Sequence, residues 1–410
     1  MSKENYFLQK LKNLPKLDSV SLRPFLLKVL KSKEKIKNQK IAPLEISLED
    51  NDLEEIENLA AKINQNFRKI VVLAVGGSSL GGKTLCAIDN NSSQKIKFLE
   101  SIDGQTIFNN LNNVDLKETA FLVISKSGQT VETTCQALIL IELFKKNKID
   151  NFAHNFFFIT QNKESGLGRI AQQIGSEIYH HPNDIGGRFS YLSIVGLLPA
   201  AICGLNIRKI RNGAQQILNN FLTEDQNHID HISACQLYLF DQKYSSNVIM
   251  PYIDSLKDFT DWYRQLWAES LGKEGCGSTP INSMGTIDQH SQLQLYLEGP
   301  KDKFFTFITN KKPVNNFDVI DLPNCPTLFG GKKLGEIVKI EQDSTIEVLN
   351  QKSTPIRVFE FDKLDEESLS ALMMQMFLET IIISYAQNIN PFDQPAVELR
   401  KDLARKYLQQ

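Results

Sequence analysis

The sequence predicts an α/β protein built on mainly parallel sheets flanked by helices. Three observations predict it. Short apolar runs alternate with helical patterns, the early runs end in glycine- and hydroxyl-rich turns, and a second set of apolar runs begins near residue 248. In such architectures ligands sit beyond the carboxyl ends of the strands, so the turns there are where function is sought.

With 410 residues, 41% apolar and 23% charged, the chain has material for about two domains with substantial cores. A net charge of -2 offers no electrostatic reason to expect nucleic acid or a membrane surface. The six cysteines are scattered without C-x-x-C spacing, which suggests neither zinc nor a disulfide framework and fits a reducing cytoplasm. The longest greasy stretch, 194–202, is interrupted by Gly196 and Pro199 and is too short to span a bilayer.

Residues 1–45 are rich in Lys and Leu, with Val20, Leu22, Phe25, Leu26, Val29 and Leu30 at helical spacing. They are expected to form an N-terminal helical extension, with the lysines of 31–40 on a solvated face. A first domain is expected over 46–205. Its strands are the mainly apolar runs at 70–75, 96–99, 120–124 and 155–160, of the kind found in sheets covered on both faces. A helical connector begins near 205, and runs at 248–252, 304–308 and 356–361 mark a second α/β domain over 206–388. Whether it repeats the first stays open, because the turn motifs do not recur. A helix through 373–385 precedes a C-terminal arm, 389–410.

Two turns concentrate chemistry. After the run 120–124 comes Ser125-Lys126-Ser127-Gly128-Gln129-Thr130, and a helical pattern starts near Val131. A strand-to-helix turn of this kind cradles an anion, because the helix's first N–H groups lack partners and hydroxyls add donors without bulk. After the run 70–75 comes Gly76-Gly77-Ser78-Ser79, a second turn of the same character. The first of them is neither a Walker loop nor a dinucleotide fingerprint.

Downstream lie Gly186-Gly187-Arg188, Gln265 and Glu269 on a helix, Gln289-His290 after Gly285, and Gln394 and Lys401 near the end. Taken singly, these side chains read as structural or surface residues. As a set they lack an activated nucleophile and a metal-binding carboxylate cluster, and they suit proton shuttling on a phosphorylated substrate. A carboxylate takes a proton from carbon, a guanidinium holds the oxyanion, and His and Lys serve oxygen.

These blocks, in this order from about residue 71 to 406, resemble the phosphoglucose isomerase (glucose-6-phosphate isomerase) family. The resemblance implies two sugar-isomerase domains, with N-terminal helices and a C-terminal helical arm. It implies reversible conversion of glucose 6-phosphate and fructose 6-phosphate in the cytoplasm, without cofactor or metal. Ser125, Lys126, Ser127, Thr130 and Gln394 would serve the phosphate, and Gly77, Ser78 and Gln265 would line the sugar. Glu269 would be the base between C2 and C1, Arg188 would hold the cis-enediolate, and His290 and Lys401 would open the ring. The family's histidine crosses from a neighbouring subunit, which implies a homodimer. Alternatives are an isomerase that also accepts mannose 6-phosphate, and a non-catalytic sugar-phosphate-binding protein of the same fold.

Overall fold

The computed structural model describes residues 6–89, 95–112, 114–312 and 317–408. The chain divides into two compact units. One comprises Lys40–Asn219 and Asp365–Met373, the other Met1–Gln39, Asn220–Leu364 and Met374–Gln410.

In the first unit a five-stranded parallel sheet contains β2 (Lys69–Leu73), β3 (Ile96–Leu99), β4 (Thr119–Ile124), β5 (Phe156–Thr160) and β6 (Glu177–His180), in the order β3-β2-β4-β5-β6. Every residue of β4 and β5 is buried, which is why those strands are apolar without alternation. Phe121, Phe144, Phe156 and Phe158 form the centre of the core on one face. Ring centroids there stand 5.3 to 6.2 Å apart, and each ring buried contributes about 2 kcal/mol.

The second unit holds β1 (Phe7–Lys12), β7 (Ser246–Pro251), β8 (Thr279–Asn282), β9 (Lys303–Asn310) and β12 (Ile356–Phe361), in the order β1-β12-β9-β7-β8. All pairings are parallel except that of β1 with β12. Its core gathers Val248, Met250, Phe305, Phe307, Ile356 and Val358. The short strands β10 (Asp318–Val319) and β11 (Lys332–Lys333) pair apart from it. Among the parallel strands of each unit, the first in sequence is flanked by the second on one side and by the third and fourth on the other. The two sheets therefore repeat one topology that residue identity left undecided.

Three expectations need correction. Residues 7–12 were expected to be helical but form β1, because Phe7, Gln9 and Leu11 recur every second position and face inward while Leu8 and Lys10 are exposed. Phe7 packs edge-on against Phe359 at 5.1 Å, and Lys10 pairs with Glu360 across the ladder at 3.0 Å. The second correction concerns the lysine-rich run. Helix Arg23–Lys37 forms, but Lys33 is buried: its ammonium donates to Asp230 and to the Glu224 carbonyl, each at 2.8 Å, over the Phe221 ring. A buried lysine persists only with such a full set of partners. Third, the longest apolar segment is helix Glu366–Ala386, long and apolar enough to cross a bilayer, yet 89% of its most apolar window is buried inside the structure. It is a core helix whose Glu379 is paired with Arg357 at 2.7 Å, both fully buried.

Candidate active site

Strand β4 ends at Ile124, and the next six residues make the anion-type turn. The Ser125 N–H still pairs with the Ile159 carbonyl at 3.1 Å, so the turn begins in register with the sheet. The Ser125 hydroxyl sits 2.7 Å from the Thr130 hydroxyl and accepts the Gly128 N–H at 3.2 Å, while the Ser127 hydroxyl accepts the Gln129 N–H at 3.3 Å. Thr130 is the N-cap of helix Val131–Lys146 but makes no side-chain capping bond, so the positive end of a 16-residue helix is left open to an external acceptor. Gly128 has φ +63°, and a β-carbon there would lie 2.0 Å from the Ser165 hydroxyl oxygen. Only glycine lets the turn close this tightly.

Lys126 is half-buried between the two serines. Its carbonyl accepts from the Gln161 N–H at 3.1 Å and the Thr160 hydroxyl at 3.3 Å. Burial lowers the proton affinity of its ammonium and the Asp184 carboxylate partly restores it. Behind the turn His181 is fully buried, and burial, with Lys126 adding to it, pushes its imidazole down to about 4. Asp184 and His181 were not singled out in the sequence. Their one visible signal was position, just ahead of the Gly186-Gly187-Arg188 block.

After β2 the chain turns through Gly76–Ser78, which packs directly on Gly187–Phe189. A β-carbon on Gly77 would stand 2.2 Å from the Gly187 carbonyl carbon and 2.4 Å from the Arg188 nitrogen. The Ser190 hydroxyl bridges the pair, 2.7 Å from the Gly187 carbonyl and 3.2 Å from that of Gly77. The backbone carrying Ser78 is thereby set against that of Arg188, a residue only 3% exposed whose guanidinium lies 5.3 Å from the Phe189 ring centre. Because β2 and β4 are neighbours in the sheet, Gly77, Ser78, Ser125, Lys126, Ser127, Thr130 and Arg188 belong to one carboxyl edge.

The remaining residues lie in the second unit. Helix Lys257–Leu271 buries Trp262, Tyr263, Leu266 and Trp267, and the Trp267 indole donates to Ser278 at 3.1 Å. On its half-buried side the Gln265 amide donates to Glu269 Oε1 at 3.0 Å. Lys273, just past the helix, holds the start of the C-terminal arm through Asp393 at 2.8 Å and the Asn390 carbonyl. Gln394 follows, and helix Pro395–Leu408 carries Lys401, paired with Glu398 at 2.7 Å. His290 sits exposed in a turn whose backbone is held by Asp288, which accepts from the Met284 N–H and the Ser291 hydroxyl, each at 2.6 Å. Within this unit Gln265 and Glu269 are brought together, while His290, Gln394 and Lys401 lie on separate segments.

A family model described as phosphoglucose isomerase matches residues 55–410. The glucose-6-phosphate isomerase of Carboxydothermus hydrogenoformans is 33% identical over 375 residues, covering 86% of this chain and 81% of that protein. Among solved structures, a hypothetical protein from Thermus thermophilus superposes with TM-score 0.88 at 26% identity, over 98% of this chain and all of that one. A glucose-6-phosphate isomerase from Chlamydia trachomatis shares the fold with TM-score 0.82 at 20% identity, over 98% of this chain and 88% of the other. A family match that takes in every one of the segments described above leaves one assignment: the chain belongs to the phosphoglucose isomerase family.

Proposed function

We propose that the protein interconverts glucose 6-phosphate and fructose 6-phosphate by moving one proton between adjacent sugar carbons. The reading rests on the family match over 55–410, which spans both anion-type turns and the Gln265–Glu269 pair. Curated relatives at a third identity over most of the chain carry the name glucose-6-phosphate isomerase. The six cysteines form no disulfide among the described residues, and the protein is placed in a reducing cytoplasm.

In this reading the phosphate does not react. Ser125, Ser127, Thr130 and the open helix end hold it, with Lys126 and Gln394 alongside, and that binding energy fixes the sugar carbons. Gly77, Ser78 and Gln265 line the sugar. The ring opens when a proton passes from the C1 hydroxyl to the ring oxygen, with His290 and Lys401 as the relaying groups. His290 reaches the site from the second subunit of a homodimer, and Lys401 exchanges Glu398 for substrate. Glu269 then takes the C2 proton and returns it to C1, while the proton on O2 is lost and one is gained at O1. Between the two steps the negative charge of the cis-enediolate faces Arg188, a stabilisation typically worth about 3 kcal/mol per oriented donor.

The test is a coupled isomerase assay beside deuterium incorporation from deuterium oxide into fructose 6-phosphate, for the parent protein and Glu269→Gln. Turnover with exchange in the parent and neither in the variant is expected. Stabilisation of the fold by sugar phosphate without turnover would instead make the protein a sugar-phosphate-binding module.

A further inference from the structure

The second sheet has a cavity where the first has its phosphate turns. Its volume is about 430 Å³, of the size that takes a sugar-sized molecule. In the shared topology β7 stands for β2, β8 for β3 and β9 for β4. Residues 252–255 after β7 correspond to the Gly76–Ser78 turn. Asn310 at the end of β9 and the first turns of helix Leu334–Gln351 correspond to the Ser125–Thr130 turn and the helix it opens. All of these, with Thr286 after β8, line the cavity.

Its chemistry differs from that of its counterpart. Ser255 and Thr286 supply hydroxyls, and Asn310 and Gln342 supply amides. Among the described lining residues the one cation, Lys339, is already paired with Asp343 at 3.1 Å. Gln342 is 5% exposed; its amide nitrogen donates to Asp343 at 3.1 Å, and its amide oxygen accepts no hydrogen bond among the described residues. That oxygen is free to accept from a donor on whatever fills the space beside it. The wall is firm, because the Tyr252 hydroxyl donates to Gln289 at 2.5 Å and Gln289 in turn donates to Glu341 at 3.0 Å.

We propose that this cavity is a second binding site, separate from the site of turnover, for a polyhydroxylated small molecule: a sugar, or a sugar phosphate whose acidic group competes with Asp343 for Lys339. Many neutral hydrogen-bonding groups and little net positive charge fit hydroxyls better than a bare phosphate. The site lies within one unit, and its Gly285–Thr286 wall leads into the turn that carries His290.

Equilibrium dialysis of the full-length protein against radiolabelled fructose 6-phosphate tests it, since the label counts both isomers and turnover does not disturb the stoichiometry. Two molecules per chain are expected, falling to one in Gln342→Leu, with isomerase turnover retained. Lys339→Glu, an exposed change that spares the fold, lowers occupancy of the second site if the ligand is the sugar phosphate. A parallel arm with labelled fructose distinguishes the sources: neutral fructose that is lost in Gln342→Leu and indifferent to Lys339→Glu marks a sugar site. A single molecule per chain in the parent, a second molecule indifferent to both variants, or a cavity that takes inorganic phosphate but neither sugar, overturns the proposal. Loss of isomerase turnover with two molecules still bound would count against the proposed activity and leave the cavity standing.

Discussion

The Gln265 amide nitrogen lies 3.0 Å from Glu269 Oε1, one helical turn away on a helix whose opposite face is buried. A carboxylate on a rigid helix, with one oxygen held from the preceding turn, has its free rotation removed before substrate arrives. Replacing Glu269 with Gln keeps the shape and removes the proposed base, so kcat is expected to fall about a thousandfold. Gln265→Leu keeps the base and frees its rotation. There kcat should fall about tenfold, with KM moving far less. Steady-state kinetics separate the two, and equal losses in both variants would mean that Gln265 does more than orient.

Gly128→Ala should damage the phosphate turn in two ways. A side chain at φ +63° is strained, and its β-carbon would lie 2.0 Å from the Ser165 hydroxyl oxygen, itself fixed by accepting the Gly168 N–H at 3.1 Å. The cost is about 2 kcal/mol of stability. Because the same turn is assigned the phosphate, KM for fructose 6-phosphate should rise more than kcat falls. Urea unfolding and kinetics measured on one preparation check both effects.

The elements read correctly from the sequence share a physical cause. Strands β2, β4, β5, β7, β9 and β12 are buried almost throughout, so they appear as predominantly apolar runs without polar alternation on one face. Four strands end the two five-stranded sheets, where one side of the ladder is unpaired and polar residues are tolerated; of these β3 was read from its apolar run, and β1, β6 and β8 were missed. Pro280 inside β8 disguised it further. The two turns were legible because glycine and serine at a strand's end have few other uses. His181, by contrast, sits in a polar His180-His181-Pro182-Asn183 stretch after a short edge strand, and only the folded chain reveals that it is buried beside the Lys126 turn. The cavity beyond β7 and β9 carries no motif, since its lining comes from four segments over ninety residues.

Lys273→Met should release the C-terminal arm. Its ammonium joins the end of helix Lys257–Leu271 to Asp393 and the Asn390 carbonyl, and helix Pro395–Leu408 has no buried residue to hold it otherwise. The Lys273 side chain is 12% exposed, so the contact is partly shielded from solvent and ions. Limited proteolysis should cut the variant after Asn390 well before the parent protein. If Lys401 and Gln394 act on substrate, turnover should fall in parallel with unchanged far-ultraviolet circular dichroism.

Stability should decline on the acid side of neutrality, with His181 the cause. Its backbone N–H pairs with the Thr160 carbonyl at 3.2 Å, Nδ1 donates to the Pro182 carbonyl at 3.0 Å, and Nε2 is buried with no partner among the described residues. Burial is the main reason that its imidazole is pushed down to about 4. The Pro182 bond opposes this, and the charges of Lys126 and His180 reinforce it. Above the ordinary histidine value near 6.5 the ring is neutral in both folded and unfolded chains, and the full stability is present. As pH falls below that value, the unfolded chain takes up a proton that the folded one refuses, so stability drops by as much as about 1.4 kcal/mol per pH unit. The loss ends once the folded ring also protonates, near 4, after about 3 kcal/mol in all. His181→Gln, which keeps a donor and cannot titrate, should flatten this window. Urea midpoints at pH 7 and pH 5 give the measurement, and a variant that loses as much between them as the parent would clear His181 of the effect.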